Sequence, residues 1–305
     1  MNVATILAAG QGKRFGADVP KQFVEVLGKP VLAYTLETFQ RSPDIDAIQI
    51  VCQPEYKDRI DDMDYIDDES LSISEFLDKM ERGKSGLTTA CPSPGQWADA
   101  FNSADQTIAI TISSALSGSH GSANVARNMV LRENPGKKIL LLDSKSTGPA
   151  MALCIRKLKE WVEAGHSIEG IAELAGNLIE KTNTVFALCS FDNLVKNGRI
   201  NSIVGFLAKK LGLWGVGIDN RGELLIKGKT RGRRNALGMI LDDMMGRGYC
   251  GGDVAINHCQ NEGLAMRLKS LIQDQWGMAK VTIRPTRGLD SFYAERGGLI
   301  VAYMT

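Results

Sequence analysis

Two stretches of the chain gather hydroxyl groups where a turning backbone would present them. Thr88-Thr89-Ala90-Cys91-Pro92-Ser93-Pro94 sets hydroxyls on a segment whose prolines restrict the backbone. Ser93 followed by Pro94 reads as a helix cap and first turn, which needs one hydroxyl and leaves Thr88 and Thr89 available. The second stretch, Ser113-Ser114-Ala115-Leu116-Ser117-Gly118-Ser119-His120-Gly121-Ser122, leaves an apolar run ending at Ile112 and enters a helix expected over Ala123 to Leu131. A loop of Gly and Ser between strand and helix offers free N–H groups and the positive end of the helix dipole, which together attract an anion. A plain tight turn with an N-cap is the simpler account, but the run of polar and glycine positions exceeds what a turn requires. Neither G-x-x-x-x-G-K-S/T nor G-x-G-x-x-G occurs in this loop. The chemistry left is a neutral anion trap of hydroxyls and amides, better suited to one carboxylate than to a triphosphate. Nucleophilic serine catalysis is the sharper alternative, but Ser117 lies in L-S-G-S rather than G-x-S-x-G, and no His/Asp arrangement can be assigned to it.

Composition narrows the partners. The chain has 305 residues with 36 Lys plus Arg against 35 Asp plus Glu, so no long-range field gathers nucleic acid or an anionic membrane. No apolar run nears the roughly 20 residues that cross a bilayer, and the N-terminus lacks the marks of a signal peptide. A cytoplasmic location without an integral membrane segment is therefore expected. The six cysteines are scattered without a C-x-x-C pair and are read as reduced. His258-Cys259 is a neighbouring pair of ligand types, but of the three histidines none stands at ligand spacing from another, so no metal site is expected. Asp58, Asp61, Asp62, Asp64, Asp67, Asp68 and Glu69 crowd the segment from Lys57 to Ser72, where the EF-hand spacing and its Gly are missing. A solvated loop or seam is expected there.

The elements that must position the hydroxyls alternate between strand and helix, which predicts an α/β fold with parallel sheets and crossover helices. Val3 to Ala9 reads as a buried strand entering a loop at Gly10 and Gly12, followed by a helix from about Val31 to Gln40 with Pro30 at its first turn, and by a strand over Ile45 to Val51. Helices are expected over Ser74 to Met80, Trp97 to Phe101, Met151 to Ala164 and Ile168 to Lys181, with strands over Gln106 to Ile112 and Lys138 to Leu142. A second cycle opens at Thr184 to Leu188 and continues through a helix near Ile203 to Leu211. Strands over Leu213 to Ile218 and Leu224 to Lys227, a helix over Arg234 to Met245 and a strand over Val254 to Asn257 follow. Strands Val281 to Arg284 and Leu299 to Tyr303 close it around a Gly-rich turn. Length and pattern give two domains, 1–180 and 181–305.

Several motifs fall in order along the chain: Tyr65-Ile66-Asp67-Asp68 with Ser74-x-Phe76, T-T-A-C-P-S-P, I-S-S-A-L-S-G-S, L-L-D-S-K-S at Leu141 to Ser146, K-N-G-R-I at Lys196 to Ile200, K-T-R-G-R at Lys229 to Arg233 and Y-A-E-R-G-G-L-I at Tyr293 to Ile300. In that order and spacing they resemble the DegV family over about four fifths of the chain. The resemblance implies the two-domain DegV (EDD) fold, each domain a mainly parallel sheet flanked by helices. It implies a carrier with no catalysis and no cofactor of its own, holding a long-chain fatty acid for a separate fatty acid kinase. Carried over by motif, the carboxylate ligands are Thr89 and Ser117 with the Gly118 N–H adjoining, and Arg231 lies close to the head group where it could help phosphoryl transfer. Tyr293 stands where many members of the family have a His. His258 matches a recurrent family His and is read as structural.

The leading residues, about 1–60, differ. The D-S-x-x-D loop that usually opens DegV proteins is absent. Instead L-A-A-G-Q-G-K-R-F-G from Leu7 to Gly16, P-K-Q-F at Pro20 to Phe23 and L-G-K-P-V-L at Leu27 to Leu32 resemble the start of a 2-C-methyl-D-erythritol 4-phosphate cytidylyltransferase. That resemblance places CTP phosphates on Ala9, Gly10, Gly12, Arg14 and Lys21, where amides and two cations would offset their charge. The Asp for Mg²⁺, the second Lys and the sugar-phosphate site of that enzyme have no counterpart downstream, so a nucleotidyltransferase of isoprenoid biosynthesis is the alternative reading, and an incomplete one. A hybrid that keeps the fold and loses both ligands is the third.

Overall fold

Apolar residues repeated every second position on both faces require a strand covered from two sides. In the computed structural model, which describes residues 3–7, 21–27, 29–42, 47–51, 67, 70–82, 87, 89–200 and 212–305, β6 (Lys138–Asp143) meets that requirement. It pairs in parallel with β5 (Gln106–Thr111), Gln106 opposite Lys138 through Thr111 opposite Asp143. Ile139 and Leu141 turn toward α3 (Pro94–Asn102) and α4 (Ser119–Glu133), where Phe101, Ala123, Ala126 and Val130 are buried. Leu140 and Leu142 turn the other way, onto Cys154, Leu158, Ile171, Ala175 and Leu178 of α5 (Pro149–Glu163) and α6 (Ile168–Lys181).

Ahead of this layer stands a smaller unit. β1 (Val3–Leu7) and β4 (Ala47–Val51) are parallel, Val3 opposite Ala47 through Leu7 opposite Val51, with α1 (Val31–Gln40) between them in the chain. A 3-10 turn at Lys21–Phe23 and the short antiparallel pair β2 (Glu25–Val26) and β3 (Lys29–Pro30) lead into α1. α2 (Ile73–Arg82) then buries Phe76 and Leu77.

The remaining strands form one six-stranded sheet in the order β11-β10-β12-β7-β8-β9. They are β7 (Thr182–Leu188), β8 (Leu213–Asn220), β9 (Glu223–Arg231), β10 (Asp253–His258), β11 (Lys280–Pro285) and β12 (Leu299–Met304). Helices α7 (Asp192–Lys196), α8 (Arg233–Gly246), α9 (Glu262–Gln275) and α10 (Gly288–Ala294) join them. The α/β class holds, but the expectation of parallel sheets is met here only by β10 with β11. The other pairings are antiparallel. Arg221 and Gly222 both have positive φ, 54° and 96°, so β8 and β9 are joined by the two-residue turn that forces neighbouring strands to run antiparallel. β12, returning after Gly297-Gly298, inserts between β10 and β7 against the direction of both.

α9 and α10 were not expected from the sequence. α9 buries Leu264, Ala265, Leu268 and Ile272 at helical spacing, and α10 occupies what reads as a Gly-rich turn. The helix expected near Ile203 to Leu211 lies outside the described residues. Along β7 the side chains alternate: Val185 and Ala187 join the large core with Ile240, Ile256, Leu268 and Tyr303, whereas Thr184, Phe186 and Leu188 face the other way, toward a cavity. Among the described residues no helix is long and apolar enough to cross a membrane.

Candidate functional site

The cavity measures about 1060 Å³. Its greasy wall comes from strand register: Phe186 of β7 lies opposite Ile300 of β12, and both line the cavity with Leu188, Leu194, Leu224 and Met151. Gly217 of β8 leaves room for this wall, since a Cβ there would stand 2.3 Å from the Phe186 ring.

The polar end is assembled from the two hydroxyl stretches. Ser93 caps α3 in a reciprocal box with Gln96, its Oγ accepting the Gln96 N–H at 3.3 Å, and Pro94 follows as the sequence predicts. The Ser122 hydroxyl donates to the Pro92 carbonyl at 2.7 Å, tying the two stretches together. The serine loop is pinned at its root. Ser113 Oγ donates to the Gly222 carbonyl at 2.7 Å, across to the β8–β9 turn, and Ser114 binds Asp143 through both N–H and hydroxyl. Burial pushes the Asp143 carboxyl up, but the Ser114 hydroxyl and the N–H groups of Lys145 and Ser114 outweigh it and hold it below its ordinary range. Ser117 Oγ accepts the Ser119 N–H at 3.1 Å, so its own proton is left to donate. Gly118 is the N-cap of α4, where the first-turn N–H groups lack helical partners.

Thr89, Ser117 and Gly118 thus line one cavity. Arg231 does not: it ends β9, whose odd-numbered residues from Glu223 to Arg231 are exposed, and it is absent from the cavity wall. That alternation turns its side chain to solvent. Ala9, Gly10, Gly12, Arg14 and Thr88 lie outside the described residues. Lys21 opens the 3-10 turn. The described part of the cytidylyltransferase-like segment commits another of its cations internally, the Lys29 ammonium meeting the Glu37 carboxylate and lying 4.9 Å from the centre of the Tyr34 ring.

Three wall residues went unassigned in the sequence reading. Arg199 brings a cation to the cavity, its Nε donating to the Leu116 carbonyl at 2.8 Å beside Ser117. Its signal was the K-N-G-R-I motif, with Gly198 at φ 68° turning the chain. Tyr293 shares a hydrogen bond of 2.9 Å with Thr89 Oγ1 and so orients that hydroxyl. Asp290, one turn earlier on α10, accepts from Thr147 Oγ1 at 3.4 Å. Burial pushes its carboxyl up to about 6, against the opposing pull of Asn257 and Thr147. His258 accepts the Asn261 N–H on Nδ1 at 3.2 Å, and burial lowers its pKa. Among the described residues no group of His, Cys, Asp and Glu is placed to hold a metal ion, and Cys91, Cys154, Cys189, Cys250 and Cys259 are free thiols.

An α/β scaffold with a large, mostly apolar cavity that also carries hydroxyls and helix-start amides defines a class of protein suited to an amphiphile. Within that class the chain belongs to the DegV family, whose model, described as an uncharacterised protein of the DegV family, matches residues 57–304. A second model, 2-C-methyl-D-erythritol 4-phosphate cytidylyltransferase, matches residues 2–73. A DegV domain-containing protein of Streptococcus pyogenes serotype M1 is 37% identical over 238 residues, 78% of this chain and 85% of that protein. A DegV family protein from Eubacterium eligens loaded with heptadecanoic acid superposes with a TM-score of 0.77 at 30% identity, covering 99% of this chain and 100% of its own. The Streptococcus pneumoniae Fatty Acid Kinase (Fak) B3 protein loaded with linoleic acid also gives 0.77, at 34% identity over 84% of this chain and 92% of its own.

Proposed function

We propose that this protein is a fatty-acid carrier that sequesters one long-chain fatty acid and presents it to a separate fatty acid kinase. The observation that carries the reading is that Thr89, Ser117 and Gly118 open onto the same cavity as Phe186, Leu188 and Ile300. The carboxylate is held by the Ser117 and Thr89 hydroxyls and the Gly118 N–H, with Arg199 alongside. The tail lies on the Phe186 wall. Burying about fifteen methylenes at roughly 0.8 kcal/mol each gives about 12 kcal/mol before the costs of association. Sequestering an ionised carboxylate costs several kcal/mol unless donors replace its water, which the hydroxyls and amide do. Affinity therefore comes from the tail and orientation from the hydroxyls.

The relatives loaded with heptadecanoic and linoleic acids support this reading, and the fatty acid kinase B3 protein supports the partner. In the same reading the chain divides near residue 180 into domains 1–180 and 181–305, needs no metal or cofactor, and performs no catalysis alone. Arg231, exposed at the end of β9, lies close to the head group in this reading and assists phosphoryl transfer. Native mass spectrometry of the purified protein tests the proposal. A co-purifying long-chain fatty acid is expected; a mass gain that depends on CTP, with no lipid, would favour the cytidylyltransferase alternative.

A further inference from the structure

The cavity has a wall that the DegV match does not supply. Glu37, Gln40, Arg41 and Ser42, the last turn of α1 and its cap, line it, and all of them precede residue 57, where that match begins. The turn climbs from the wall into solvent, the Glu37 side chain being 24% exposed and that of Arg41 78%. It is held in place by the Arg41 N–H on the Glu37 carbonyl at 3.1 Å and by Lys29 on the Glu37 carboxylate. The Arg41 guanidinium is only loosely engaged, 3.8 Å from the other Glu37 oxygen, a solvent-screened contact that leaves its charge available. Lys196, exposed at the end of α7, lines the same cavity. Among the described lining residues the carboxylates are Glu37, already met by Lys29, and Asp290, turned to Thr147. Among the described lining residues the cations Arg41, Lys196 and Arg199 thus outnumber the carboxylates.

We propose that the last turn of α1 is the lip of the lipid cavity and that Arg41 captures the anionic end of the incoming amphiphile. The inference rests on the fatty-acid reading and adds a positioning residue from the segment that resembles another family. A cation at a low-dielectric opening raises the association rate of an anion, and salt screens the effect.

Stopped-flow uptake of a fluorescent long-chain fatty acid by delipidated protein tests it, with the wild type beside Arg41→Glu, Arg41→Lys and Gln40→Trp. Arg41→Glu is expected to slow association about tenfold at low ionic strength, the difference shrinking to about twofold or less in 1 M salt. Arg41→Lys should keep the wild-type rate, and Gln40→Trp should slow uptake and release together by narrowing the lip. Wild-type association by Arg41→Glu at low salt, with its circular dichroism intact, overturns the role of Arg41. No uptake by the wild type itself would instead overturn the fatty-acid reading, and the lip with it.

Discussion

Two of the chain's parallel β-α-β arrangements differ in how they are covered. The β5–β6 layer has helices on both faces, with Phe101 and Ala175 fully buried on opposite sides. The β1–α1–β4 unit buries Ala4, Phe23 and Leu32, yet α1 leaves Val31, Tyr34 and Phe39 between 37% and 41% exposed. The same local topology therefore serves two purposes. Where both faces are packed, the strand end can hold a loop rigidly enough to aim donors; α1, with Val31, Tyr34 and Phe39 partly exposed, is anchored by fewer buried side chains.

The sharpest way to break this comparison is to empty each region in turn. Phe101→Ala should cost about 3–5 kcal/mol in denaturant unfolding, as core phenylalanines do. Phe39→Ala, at 37% exposure, should cost less than about 1 kcal/mol. Equal losses would abolish the distinction. Next in size, Ser117→Ala removes a donor to a charged group and should weaken fatty-acid retention by about 1.5–3 kcal/mol, tenfold or more in Kd, with an intact fold. Unchanged retention in a competition assay would take Ser117 out of the site.

A smaller effect concerns pH. Because folding raises the Asp290 pKa from 3.8 to about 6, the folded state holds its proton more tightly, so this group favours folding below pH 3.8 and loses that contribution as pH rises through 6. Asp290→Asn should flatten the stability profile across that window. A slope identical to the wild type would show that Asp290 is not the titrating group. Smallest of all, Lys21→Ala should leave lipid retention unchanged, and a large loss would mean that the leading loop reaches the pocket.

What the sequence made legible was local. The Ser93 cap followed from Ser-Pro spacing, and the serine loop followed from its density of hydroxyls between a strand and a helix. Pairings that span the chain were not legible: Thr89 meets Tyr293 across 204 positions, and Arg199 reaches Leu116 across 83. The short α10 gave no local signal because the carboxylate at its start comes from elsewhere, Asp67 accepting the Gly288 and Leu289 N–H groups at 2.8 Å each. The antiparallel course of β12 is likewise fixed by neighbours distant in sequence. α9 is the contrary case, since Leu264, Leu268 and Ile272 carry a helical period that was there to be read.

The Asp67 bridge also sets where this chain can be spliced. Residues 57–73 are claimed by both family matches, so a crossover anywhere in that window looks equivalent in an alignment. Physically it is not. A donor segment running to residue 73 would have to bring its own carboxylate at position 67, or the helix bearing Tyr293 would lose the acceptor at its start, at about 0.5–2 kcal/mol. A join made before residue 67 keeps that helix moored whatever fold precedes it.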